Sequence, residues 1–98
     1  MENQKVWEAM AQMFAALGDP TRLKLVGALM DGPKCVHELS ELAGISESAA
    51  SHQLRTLRLL RLVTHQRQGQ HIIYTLNDDH VFRLVEQARD HALEETHE

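Results

Sequence analysis

Asp78-x-His80 and, after ten intervening residues, His91-x-x-Glu94 are the residues of this 98-residue chain best suited to chemistry. Imidazole nitrogens and carboxylate oxygens together suit a divalent metal that accepts mixed ligands. His80 and His91 are eleven residues apart, three turns of helix, so they face the same way but stand roughly 16 Å apart along the axis. One helix cannot bring both to one ion. An antiparallel copy of the same helix can, because it sets Asp78 and His80 of one chain beside His91 and Glu94 of the other. The pattern therefore implies four ligands (Asp78, His80, His91 and Glu94), an obligate homodimer and two symmetry-related sites. Asp78 has a second explanation as a helix cap, and Glu94 as an i,i+3 surface partner. His97, three residues beyond Glu94, is a candidate fifth ligand if the end of the chain is not simply frayed.

The elements that must carry these groups are legible from periodicity. Val6, Met10, Met13, Phe14 and Leu17 recur at helical spacing over roughly residues 3–17, and Gly18 stops that helix. Asp19-Pro20 reads as N-cap and first helical residue. The helix that follows, about 20–30, is expected to bury Leu23, Val26, Leu29 and Met30. A short helix from about 35 to 43 carries Val36, Leu39 and Leu42. Gly44-Ile45-Ser46 turns the chain into a helix of about 47–60 whose inward face is Ala50, Leu54, Leu57 and Leu60. Two helices around such a turn form a helix-turn-helix, with the second in the DNA major groove. Ser48, Ser51, His52, Gln53 and Arg55 are the expected outward residues that reach bases or phosphates. The period then changes to a β-hairpin over 62–76 with glycine in its turn. A hairpin in that place is a wing, with Gln66, Arg67, Gln68 and Gln70 at its tip. Arg67 and Gln68 join the candidate DNA contacts, whereas Tyr74 is expected in the core and His65 and His71 in solvent. Asp78 caps a last helix to about residue 95, striped by Val81, Val85, Ala88 and Ala92. The fold class expected is mainly α with a small β-hairpin, in the order α-α-α-α-β-β-α, as one domain over residues 1–98.

Composition sets the frame for this reading. Hydrophobic residues at 43% and charged residues at 24% fit a globular chain, and its size leaves room for a partner subunit to extend the core. No apolar run has the length of a membrane span, and no signal-peptide layout opens the chain. A single cysteine, Cys35, offers no internal disulfide framework, so a cytoplasmic location is expected. The net charge of −4 is unevenly distributed. Residues 48–77 hold no acid and four arginines (Arg55, Arg58, Arg61 and Arg67), while residues 1–47 sum to −3 and residues 78–98 to −5. Local sign decides where a polyanion docks, so the basic middle third is the candidate DNA surface; a solvated arginine face is the alternative.

Four stretches in register resemble the ArsR/SmtB family of winged-helix metal-sensing repressors: Ala16-Leu17-Gly18-Asp19-Pro20-Thr21-Arg22-Leu23, Ser48-Ala49-Ala50-Ser51-His52-Gln53-Leu54, Arg67-Gln68-Gly69-Gln70, and the Asp-x-His…His-x-x-Glu pattern. The resemblance covers residues 6–94 and is nearest to members that respond to zinc or cobalt at the C-terminal helix. It implies a homodimer, joined through its N- and C-terminal helices, that binds an inverted-repeat operator in double-stranded DNA and blocks transcription. It further implies release by Zn(II) acting as allosteric effector, with Co(II) or Ni(II) as alternatives. The family's fourth ligand position accommodates His or Glu, which suits Glu94. A ligand histidine in similar proteins also hydrogen-bonds toward the end of the recognition helix, here near Arg61, so His91 is expected to link metal to DNA. The family's second site type, around Cys-x-Cys, reads Cys35-Val36-His37 here and has no Cys or His in residues 1–34 to complete it. Cys35 is therefore expected as a small interior residue.

Other classes fit less well. A metal hydrolase needs an open coordination position and a placed base, and no His-Glu-x-x-His motif occurs, so no enzyme is expected. A redox sensor needs a cysteine pair. A nickel or cobalt sensor using His97 as an extra ligand, and a metal-independent repressor, remain the alternatives.

Overall fold

The structure, a computed structural model, describes residues 3–96. Its elements are α1 (Gln4–Leu17), α2 (Pro20–Leu29), β1 (Lys34–Cys35), α3 (Val36–Ala43), α4 (Glu47–Leu59), β2 (Val63–Gln68), β3 (His71–Leu76) and α5 (Asp79–Thr96). The expected order holds, with one addition. β1 is two residues long and pairs Lys34 with Tyr74 and Cys35 with Ile73, making an antiparallel sheet of order β1-β3-β2. Two residues cannot show a period, which is why sequence reading passes over this strand.

Helix ends follow local chemistry. Asn3 Oδ1 accepts the Val6 N–H at 3.2 Å, Asp19 Oδ2 the Arg22 N–H at 2.9 Å, and Ser46 Oγ the Ala49 N–H at 3.1 Å. α3 and α4 both end in Schellman geometry. Ile45 N–H bonds Ser40 O at 3.0 Å around Gly44, and Leu62 N–H bonds Leu57 O at 2.9 Å around Arg61.

Leu25, Val26, Leu39, Ala50, Leu54 and Leu57 are fully buried, and Leu62, Val63, Tyr74, Val81 and Val85 close the core over them. Three expectations change. In α2 the buried set is Leu25, Val26 and Leu29, so Leu23 falls roughly 110° round the helix and is exposed, while Met30 is half-buried. In α3 the inward pair is Leu39 and Ser40, which likewise turns Leu42 outward. Cys35 is half-buried at a strand end, where its backbone N–H donates to Glu38 Oε1 at 3.1 Å. The stripe of α1 is divided: Leu17 is buried and Met13 packs against the core, whereas Val6, Met10 and Phe14 are exposed, as is Trp7, with Phe14 at 53%.

Candidate DNA interface and metal centre

α4 presents two faces. Ala50, Leu54 and Leu57 seat it in the core, and Ser48, Ser51, His52 and Arg55 stand exposed on the other side. Hydroxyls, an imidazole and a guanidinium on one exposed face supply donors and acceptors for base edges and phosphates. Gln53 departs from the expectation. It is half-buried, and its Oε1 accepts from Arg22 Nη1 at 3.1 Å, so it points toward α2 and away from that face. The sequence carried the signal, since Gln53 lies three residues after Ala50 and four before Leu57 and so shares their stripe.

After Val63, every residue of β2 is exposed, including Arg67 and Gln68. The β2–β3 register pairs Gln68 with His71, and Gly69 turns the chain at φ 64°. Arg67 Nη1 reaches Gly69 O at 3.5 Å across the tip. His65 and His71 are exposed, and the His65 ring lies 5.4 Å from that of buried Tyr74.

The helix-turn-helix has a clamp that sequence reading missed. His37 of α3 lies between two carboxylates, Nδ1 at 2.9 Å from Glu47 and Nε2 at 3.5 Å from Glu41. The Glu47 hydrogen bond, followed by the Glu41 charge, raises the His37 pKa above the ordinary histidine value. Both ring nitrogens of His37 thus face carboxylates. Near the other end of α4, a shallow cleft of about 430 Å³ is lined by Arg58, Arg61, Thr64, His65 and Asn77. Arg58 Nε is buried there without a hydrogen-bond partner among the described residues.

Asp78 does three things at the start of α5. Oδ1 accepts the Val81 N–H at 3.1 Å, Oδ2 accepts from Asn77 Nδ2 at 3.1 Å, and the same Oδ2 is 3.4 Å from His80 Nδ1. The Val81 N–H is the largest reason that the Asp78 carboxyl sits below the usual carboxylate range. This sets a carboxylate beside an exposed imidazole, a nitrogen–oxygen pair of donors. His91 and Glu94 are exposed farther along the same helix. Among the described residues of one chain, no three His, Cys, Asp or Glu are grouped to hold a metal ion. Imidazole and carboxylate donors of this kind would fit a divalent ion. His97 lies outside the described residues.

An apolar surface flanks this helix. Leu23, Gly27, Met30, Val85, Ala88 and Ala92 line a cleft of about 500 Å³ between α2 and α5, and Leu93 is exposed nearby. No helix among the described residues is long and apolar enough to cross a membrane.

A helix-turn-helix with an exposed polar recognition face and a β-wing defines the class: a winged helix-turn-helix DNA-binding protein. Residues 19–65 match the family described as bacterial regulatory protein, arsR family. The chain is 46% identical over 87 residues to a transcriptional repressor SmtB homolog of Synechocystis, covering 89% of this chain and 66% of that protein. It is 38% identical over 85 residues to a cadmium resistance transcriptional regulatory protein CadC homolog of Staphylococcus aureus, covering 86% and 70%. It thus spans about two thirds of the length of these relatives. Among solved structures, the homodimeric winged helix-turn-helix DNA-binding domain of Mb0332 from Mycobacterium bovis superposes with a TM-score of 0.86 at 25% identity, over 100% of this chain and 95% of that one. The chain belongs to the ArsR family of bacterial transcriptional regulators. It is a DNA-binding regulator and not an enzyme.

Proposed function

We propose that this chain is a zinc-responsive repressor that binds an inverted-repeat operator as a homodimer and is released when Zn(II) binds between the α5 helices. The observation that carries this reading is the Asp78–His80 pair at the start of α5, 3.4 Å apart, with His91 and Glu94 exposed on the same helix but out of its reach. Donors split in this way make a complete set only across two chains, and the apolar faces of α1 and α5 suit them to meet a second copy. Kinship with a repressor and with a cadmium-resistance regulator supports a metal effector. Asp78 and His80 of one chain, with His91 and Glu94 of its partner, would hold the ion. When bound, the metal supplies a cross-link that favours one dimer arrangement over another.

The chain's own residues do the rest. Ser48, Ser51, His52 and Arg55 on α4, with Arg67 and Gln68 on the wing, meet the DNA. The dimer sets the separation of two recognition helices, which must match successive major grooves about 34 Å apart. An effector that prefers the arrangement with the wrong separation lowers DNA affinity, and DNA lowers metal affinity by the same factor. His91 is the residue proposed to relay the metal to the end of α4 near Arg61. Neutral imidazole is the ligand form, so sensing fades as pH falls through the histidine range.

The test uses a duplex selected by the wild-type chain from a random-sequence pool, titrated with zinc, cobalt and nickel for wild type and His80→Ala. Zinc is expected to lower wild-type affinity by roughly one to two orders of magnitude, a usual coupling strength, and to leave His80→Ala unchanged. Zinc without effect on the wild type removes the sensor reading. Release by nickel alone, abolished by His97→Ala, replaces zinc with a nickel sensor.

A further inference from the structure

Arg22 makes a three-way junction that neither the DNA surface nor the metal pattern uses. Its own backbone N–H is capped by Asp19, its Nε donates to Ala16 O at 2.9 Å, and its Nη1 donates to Gln53 Oε1 at 3.1 Å. Ala16 is near the end of α1, Arg22 sits in the first turn of α2, and Gln53 is in the middle of α4. One planar guanidinium thus ties three helices, two of them 31 residues apart in sequence.

We propose that Arg22 and Gln53 are positioning residues for DNA binding: a strut that fixes the recognition helix α4 to the end of α1, and through α1 to the dimer. This rests on the proposed reading of the chain as a dimeric DNA-binding repressor. The chemistry favours a rigid link. A guanidinium is always charged, and its fork holds two acceptors in one plane, which a lysine ammonium does not do. A cation against a carbonyl at the end of α1 also meets the negative end of that helix, adding to the hydrogen bond. Arg22 and Gln53 are both half-buried, so both bonds are partly shielded from the water that would compete for them. α1 carries the exposed apolar stripe of Val6, Trp7, Met10 and Phe14. An element that meets the partner chain on one side is pinned to the recognition helix on the other. Gln53 serves DNA binding here by being held, without touching the DNA.

Direct contact and positioning predict different arithmetic. Affinity for the selected duplex is measured for wild type, Arg22→Met, Gln53→Met and the double variant, with sedimentation to follow the dimer. Each single change is expected to weaken binding roughly tenfold, and the double variant to be no weaker than the worse single, because both remove one link. Arg22→Lys is expected to behave like Arg22→Met. Effects that multiply in the double variant, or full affinity in Arg22→Met, overturn the strut. Should Arg22→Met not fold, Gln53→Glu decides. It keeps an acceptor for Arg22, so affinity within about threefold of wild type supports the strut. A tenfold or greater loss, as expected for a carboxylate placed against phosphates, overturns it. A folded wild-type dimer that selects no duplex removes the DNA-binding reading itself, and the strut's role with it.

Discussion

Arg61 and Gly44 occupy the same place at the ends of successive helices, yet one is an arginine and the other a glycine. Both have positive φ, 61° and 71°, and both sit inside the paired backbone bonds of a Schellman motif. A Cβ on Gly44 would meet nothing within 4 Å, so the cost of a side chain there is purely conformational. Gly44→Ala is accordingly expected to destabilise the chain by about 1 kcal/mol, the left-handed penalty for an L-residue. Arg61→Gly should have the opposite sign and a smaller size, roughly 0.5 kcal/mol, because it relieves that penalty but gives up a cation at a helix C-terminus and adds unfolded-state entropy. Thermal melts of the two variants check the pair; a lower midpoint for Arg61→Gly refutes the strain argument. At this scale the sequence was legible wherever spacing alone decides orientation. Ala50, Leu54 and Leu57 lie inward as their period requires, and Gln53 should have been placed with them. Arg22 was not legible as a strut, since its partners are a carbonyl and an amide from helices whose packing no local pattern reveals.

His37 shows how a polar contact couples elements. It joins α3 to the first turn of α4 through Glu47 while also facing Glu41, with Glu38 as a further nearby charge. Its pKa is raised in the folded chain, so its contribution is fully present below the ordinary histidine value of about 6.5 and is lost as pH rises through the raised folded value. Glu38 and Asp78 have the opposite sign. Hydrogen bonds from the backbone of Cys35 and of Val81, the first-named cause in each case, lower their pKa values. Their contributions are present above the ordinary carboxylate range and are lost as pH falls through the lowered values. Hence His37→Gln should flatten the stability profile of the chain on the neutral side, as pH rises above the ordinary histidine value of about 6.5. Melts across that range for both proteins supply the comparison, and an identical neutral-side slope in the two excludes the clamp. Elements themselves were readable from caps and period: five helices and the wing hairpin lie where Gly18, Asp19, Gly44, Ser46 and Asp78 place them. β1 was not, because a two-residue strand exists only through its pairing with β3.

For the whole molecule, the apolar pattern of α1 was read correctly as a helix, but of its residues Val6, Met10 and Phe14 stay exposed within one chain while Leu17 reaches the core. Trp7 at 46%, Phe14 at 53% and Leu93 at 58% exposure are a large apolar outlay for 98 residues. Phe14→Glu is expected to shift sedimentation at micromolar concentration from dimer to monomer; an unchanged dimer places the interface elsewhere. The same two-chain logic gives the metal pattern its sharpest test. A dimer of Asp78→Ala/His80→Ala chains lacks half of each site, and a dimer of His91→Ala/Glu94→Ala chains lacks the other half. Each variant alone is expected to bind zinc weakly in competition with a chromophoric chelator. Unfolding and refolding the two together produces mixed dimers, in which the intact Asp78 and His80 of one chain meet the intact His91 and Glu94 of the other. Each mixed dimer regains one complete site, and statistical pairing makes about half of all dimers mixed, so the mixture should recover roughly one quarter of the tight zinc binding of wild type. A mixture that recovers none shows that the four residues are not shared between chains. Tight binding by either variant alone shows that two of them suffice, and in both cases the inter-subunit site is wrong.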